Sequence, residues 1–202
     1  MNNLTELIEV CHWMNEKNYS PATSGNYSLR INEKSLYVSA SGVDKGKLKT
    51  SDFINMDLQG EYTNETLKPS DEAMIHAKIM ELVPEANCVL HSHSIAGTAL
   101  SMFTKDNQIE FCGFELQKAF SKIKSHSETI RFHIFENTQD INQFANELEH
   151  NWKEDFSNTP CLILRGHGVY VWAESIQRAK RFLEGAEFLM AVRVEQIKMG
   201  LK

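Results

Sequence analysis

The segment "PCLILRGHGVYVWA", residues 160–173, constrains the fold more than any other part of the chain. It holds two short apolar runs, "CLIL" and "VYVWA", joined only by "RGHG". Apolar runs of this length without polar alternation read as buried strands, and a glycine-flanked joint reads as a tight hairpin. A hairpin buried in this way needs helices packed over it. The rest of the chain supplies candidates for them.

Leu4, Leu7, Ile8, Cys11 and Met14 recur at helical spacing and predict an amphipathic helix over 3–18. "NYSLRI", "SLYVSA" and "FINMDL" read as three strands, the first two separated by the turn-forming "NEK". "KPSDEAMIHAKIMELV" reads as a helix capped by Ser70, with Asp71 and Glu72 suited to its positive end. "CVLHSH" follows as a strand and "IAGTALSMF" as a helix. "GFELQKAF" has helical composition, "TIRFHIFE" alternates like a strand, and 138–152 and 174–200 predict two further helices. There is no internal repeat, low-complexity tract or linker. The expected fold is one α/β domain over 1–202, with a mixed, mainly antiparallel sheet covered by helices on both faces.

Composition narrows the function classes. The 202 residues suit a single domain, and a net charge of −6 disfavours a general nucleic-acid or anionic-membrane surface. Lys47 and Lys49 read as solvated loop residues. Cys11, Cys88, Cys112 and Cys161 form no C-x-x-C pair and have apolar neighbours, as free buried thiols do. There is no basic-then-apolar leader and no run of about 18 apolar residues. The expectation is a reduced, cytoplasmic protein.

The polar residues at the strand ends carry the chemistry. In "CVLHSHSIAG", His91 and His93 stand two apart at the end of a strand, so they project to one face. His167 stands between Gly166 and Gly168 at the buried hairpin. One histidine is more often structural than a ligand. Three imidazoles at strand ends match the number a catalytic zinc takes while keeping a position open. His12, His76, His126, His133 and His150 lack such settings and read as ordinary surface or core residues. A second theme is anion binding. "SPATSGNYS" exposes backbone N–H groups and hydroxyls around Gly25, and "SASGVDKG" repeats this with Ser41, Gly42 and a nearby Lys45. Ser70 adds a hydroxyl at a helix start. Each segment alone is a turn or a cap; together they suggest a phosphorylated substrate.

"TSGNYS", "SASG", "KPSDEAMIH", "VLHSHS" and "RGHGVYVW", in this order, resemble the class II aldolase family of zinc enzymes, from about residue 5 to the final helix. That family includes sugar-phosphate aldolases, epimerases and dehydratases, and the non-catalytic adducin heads. The resemblance implies one Zn²⁺ per subunit on His91, His93 and His167. It implies phosphate binding by Thr23, Ser24, Gly25, Asn26, Ser41, Gly42 and Ser70, and a homotetramer with active sites at subunit boundaries. Glu72 falls where the aldolases carry their catalytic glutamate, and Glu115, in "GFELQK", where the dehydratases carry theirs.

"SASGVDKG", "GFELQKAF" and "GVYVWAES" are most similar to the methylthioribulose-phosphate dehydratase branch, which acts in methionine salvage. A dehydratase needs a base for the C3 proton and an acid for the departing C4 hydroxyl, and one carboxylate can serve both in turn. The resemblance implies Glu115 in that role, with Glu72 supporting and Lys118 a possible substrate contact. Aldolase relatives carry a tyrosine near the C-terminus, whereas no tyrosine follows Tyr170 here. An adducin-like interaction domain would lack the histidines, and a structural zinc site would usually bring cysteines.

Overall fold

The computed structural model describes residues 3–201. The chain runs α1 (Asn3–Glu16), β1 (Asn26–Asn32), β2 (Ser35–Ser39), β3 (Phe53–Asp57), α2 (Ala73–Leu82), β4 (Cys88–Ser92) and α3 (Ile95–Phe103). It continues through β5 (Gln108–Phe111), β6 (Ile130–Phe135), α4 (Ile141–His150), β7 (Cys161–Leu164), β8 (Gly168–Ala173) and α5 (Ile176–Lys198). The strands form one sheet in the order β3-β2-β1-β4-β8-β7-β6-β5. All neighbours are antiparallel except β6 and β7.

Helices cover both faces, as the apolar hairpin requires. Leu29, Leu90, Ile163 and Val171 face a core shared with α1, α3 and α5. Val89, Leu162, Tyr170 and Trp172 face a second core with α2 and α4. β7 and β8 are buried along their whole length. Strand alternation sends His91 to the α2 side with Val89 and Ser92 to the α5 side with Leu90.

Four local expectations change. "GFELQKAF" forms a 3-10 turn at Glu115–Ala119 rather than an α-helix. The Gln117 side chain holds it: Phe114 N–H donates to its Oε1 at 2.9 Å, and its Nε2 donates to the Glu128 carbonyl at 2.6 Å. The edge strand β5 is an element that periodicity does not announce; its four residues, "QIEF", bury only Ile109 and Phe111. Ser70 does not cap α2. The helix begins at Ala73 after Glu72, and the Ser70 hydroxyl instead accepts from Asn26 Nδ2 at 3.1 Å. Cys112, just past β5, is exposed, whereas Cys11, Cys88 and Cys161 are buried. Lys47 and Lys49 are exposed as expected, but Lys45 is buried.

Candidate active site

His91, His93 and His167 meet at one end of the central strands. Their ring centroids lie 4.5 Å (His91–His93), 5.1 Å (His91–His167) and 4.7 Å (His93–His167) apart. Two strand ends and a turn achieve this. β4 delivers the first two histidines, and the tight turn between β7 and β8 delivers the third. Gly168 permits the approach, because a Cβ there would lie 2.7 Å from the His91 ring and would overlap the Ser92 carbonyl.

Second-layer contacts aim the imidazoles. His91 Nδ1 donates to the Val169 carbonyl at 3.1 Å, which leaves the lone pair on Nε2. His167 Nδ1 is 3.2 Å from Asn137 Oδ1, and its Nε2 faces Glu72. Tyr170 lies directly opposite His91 in the β4–β8 ladder and stacks on it at 3.8 Å. His91 Nε2 and His93 Nε2 are buried without a hydrogen-bond partner. Burial pushes the His91 pKa well down and lowers that of His93 to about 4, so both stay neutral near pH 7. Converging, neutral, orphaned imidazole nitrogens fit a divalent metal.

Glu72 joins the group. Its Oε1 lies 2.8 Å from His167 Nε2 and its Oε2 3.5 Å from His91 Nε2. The four candidate ligand atoms all lie within 4.8 Å of one another. Burial alone would raise the Glu72 pKa; hydrogen bonds from His167 and Asn26 hold it below the usual carboxylate range. Behind it runs a buried chain. Ser28 Oγ lies 2.8 Å from His76 Nδ1, His76 Nε2 donates to Asn26 Oδ1, and Asn26 Nδ2 donates to Glu72. His76, which reads from sequence as an ordinary histidine, is fully buried and holds this chain in place.

The three hydroxyl-rich segments converge beside this group. Asn26 binds Ser70, and Ser41 N–H donates to the Lys68 carbonyl at 2.9 Å, bringing the Ser41–Gly42 turn against the 68–70 segment. Gly25, at φ +80, approaches β4 so closely that a Cβ would lie 2.9 Å from the His91 carbonyl oxygen. Ala22 and Thr23 also have positive φ, 52° and 65°, unusual for residues with side chains and most costly for a β-branched one. Ser24 Oγ is buried with no partner.

Glu115 lies outside this cluster. It is exposed on the turn after β5, paired with Lys118 Nζ at 2.7 Å and 3.9 Å from His126. The Lys118 ion pair is the main influence lowering its pKa. β5 is four places from β4 in the sheet order. Lys118 is drawn to Glu115, not to the histidines.

The family described as Class II Aldolase and Adducin N-terminal domain matches residues 5–194. The chain belongs to the class II aldolase and adducin family. Methylthioribulose-1-phosphate dehydratase from Pseudoalteromonas translucida (strain TAC 125) is 39% identical over 199 residues, 97% of this chain and 92% of that protein. The enzyme of the same name from Klebsiella pneumoniae subsp. pneumoniae is 40% identical over 190 residues, 92% of each chain. Among solved structures, L-fuculose-1-phosphate aldolase from Thermus thermophilus superposes with a TM-score of 0.77 at 17% identity, covering 98% of this chain and 97% of that one. That likeness shows the class II aldolase fold.

In this member of the class II aldolase and adducin family, His76 and Tyr170 are the supporting residues that sequence reasoning missed. The helical interval from Glu72 to His76 was the one available signal, since i and i+4 share a helix face. A 540 Å³ cleft lined by Trp152, Phe156 and Trp172 lies at the Ala173 end of β8, away from the histidines. No helix among the described residues is long and apolar enough to cross a membrane.

Proposed function

We propose that the chain dehydrates 5-methylthioribulose 1-phosphate to 5-methylthio-2,3-dioxopentyl phosphate in methionine salvage. It does so as a cytoplasmic homotetramer with one Zn²⁺ per subunit. The observation that carries this reading is the convergence of three imidazoles, two of them with orphaned Nε2 atoms, with three hydroxyl-and-amide segments. Near full-length relatives called methylthioribulose-1-phosphate dehydratase select the dehydration among the family's reactions.

His91, His93 and His167 would hold the ion. Zinc bound there would polarise the C2 ketone oxygen and so acidify the C3–H bond. Thr23 to Asn26, Ser41, Gly42 and Ser70 bind the phosphate through N–H and hydroxyl donors, and Ser24 Oγ gains a partner. The strain at Ala22 and Thr23 supports this role, because such backbone persists where a site requires it. Glu115 takes the C3 proton and returns it to the C4 hydroxyl, which leaves as water; the resulting enol becomes the diketone. Glu72, held by Asn26, keeps His167 oriented.

Glu115 reaches the metal from a neighbouring subunit. Four strand spacings of ~4.8 Å separate β5 from β4 within one chain, roughly 19 Å. The outer face of α3 carries Ile95 (82% exposed), Met102 and Phe103 (each 64%). α3 also touches the metal turn, where Thr98 Oγ1 donates to the His167 carbonyl. A second copy covering that face would bring its own residues to the mouth of the site.

The closeness of Glu72 to the histidines favours one alternative, aldol cleavage with Glu72 as the acid–base group. The deciding experiment supplies purified, zinc-loaded protein with methylthioribulose 1-phosphate or with fuculose 1-phosphate. Diketone formation and water release from the first supports dehydration. Aldehyde release from either sugar phosphate, without diketone, supports the aldolase instead.

A further inference from the structure

Lys45 is the only lysine or arginine among the described residues that is withdrawn from solvent, at 2% exposure. Its Nζ donates to the Val43 carbonyl at 3.0 Å and contacts the Ala40 carbonyl at 3.4 Å. It makes no ion pair among the described residues, whereas Lys47 in the same loop pairs with Asp44 at 3.2 Å. An ammonium buried without a carboxylate is costly, and two neutral carbonyls compensate it only in part. Burial therefore pulls its pKa down, and the carboxylates of Glu72, Asp44 and Asp52 offset only part of that pull.

The position of the charge explains its presence. Ala40 and Val43 bracket Ser41 and Gly42, so the ammonium lies inside the turn whose exposed side carries the Ser41 hydroxyl and Gly42 at φ +72. The Ala40–Pro69 bridge and the Ser41–Lys68 hydrogen bond fasten this turn to Ser70. Thr23 to Asn26, Ser41, Gly42 and Ser70 offer only neutral donors, while Glu72 adds a negative charge nearby. Lys45 places a positive charge directly beneath those neutral donors, where a phosphate dianion would bind. In a poorly hydrated interior, a charge acts across several ångströms without touching its partner.

We propose that Lys45 is the buried counter-charge of the phosphate cradle, a positioning residue that shapes the Ser41–Gly42 turn from within and makes the site select phosphomonoesters over neutral ketoses. This rests on the phosphate role proposed above for those segments, but not on the reaction.

The test is calorimetric titration of inorganic phosphate into zinc-loaded wild type, Lys45→Met, Lys45→Gln and the exposed control Lys47→Met. Lys45→Gln retains a donor for the carbonyls but has no charge. The expected result is a roughly ten- to hundred-fold loss of phosphate affinity in both Lys45 variants and little change in Lys47→Met. KM for the phosphorylated substrate should rise by a similar factor with kcat within about twofold, while turnover of unphosphorylated methylthioribulose stays unchanged. Unaltered phosphate affinity, or equal losses with phosphorylated and unphosphorylated sugar, overturns the proposal. If neither variant folds, low-millimolar phosphate must still raise the melting temperature of the wild type beyond chloride at equal ionic strength; no rise also overturns it. Phosphate binding requires no turnover, so absence of diketone would refute the reaction and leave the Lys45 result standing.

Discussion

Replacing Glu187 by Gln should make the protein's stability less sensitive to alkaline pH. Glu187 lies on α5, 2% exposed, and accepts from the hydroxyl of Ser92, the residue between His91 and His93. Its other oxygen has no partner. Burial raises its pKa from 4.5 to about 7, against the opposing hydrogen bond of Ser92. Between those two values the native state retains a proton that the unfolded chain has released. Each pH unit upward then costs the native state about 1.4 kcal/mol, some 3 kcal/mol in all by pH 8. Glutamine has the same shape and cannot ionise. Any fixed penalty from its amide group is independent of pH, and the titrations of His76 and His93 are common to both proteins. The stability of Glu187→Gln minus that of wild type should therefore grow by about 2.5 kcal/mol between pH 5 and pH 8. Urea unfolding at fixed protein and metal concentration, repeated across that range, measures the difference. A difference that stays flat with pH would refute the reasoning, because Glu187 would then ionise alike in both states.

Removing any one of His91, His93 or His167 as alanine should lose most bound metal and nearly all turnover; full metal retention with normal turnover would remove that residue from the site. Ser70→Ala should raise KM for the phosphorylated substrate roughly ten- to hundred-fold with a much smaller effect on an unphosphorylated analogue, read by steady-state kinetics. Glu115→Gln should lower kcat by ~10²–10⁴-fold with unchanged metal content, and Glu72→Gln should be milder or act through metal affinity. The reverse order would favour Glu72 as the acid–base group. Mixing inactive Glu115→Gln with inactive His91→Ala subunits should restore part of the activity if Glu115 serves a neighbour's metal, and none if it serves its own.

The elements of the fold were largely legible because each is written in local periodicity. The unbroken apolar runs of β7 and β8, the 3.6-residue spacing of α1 and α5, and the turn residues between β1 and β2 act within a few positions of one another. The meeting of the three histidines was legible for the same reason. Alternation along β4 sets His91 beside His93, and the glycines around His167 announce a close approach. Covalent geometry makes such statements nearly independent of the rest of the molecule.

Other features depended on which distant segments meet. Ser70 has the chemistry of a helix cap, but Asn26, 44 residues away, draws its hydroxyl aside. His76 has the burial of a core residue, and only the packing of α2 against β1 makes it the support of Asn26 and Glu72. Lys45 is one of three lysines within five residues, and only the closure of its loop distinguishes the buried charge from its solvated neighbours. Hydrogen-bond partners and desolvation are set by segments remote in sequence, so no local pattern records them. Sequence alone determined where the strands end and which side chains can bind a metal; tertiary structure decided what holds those side chains in place and which charges are left without water.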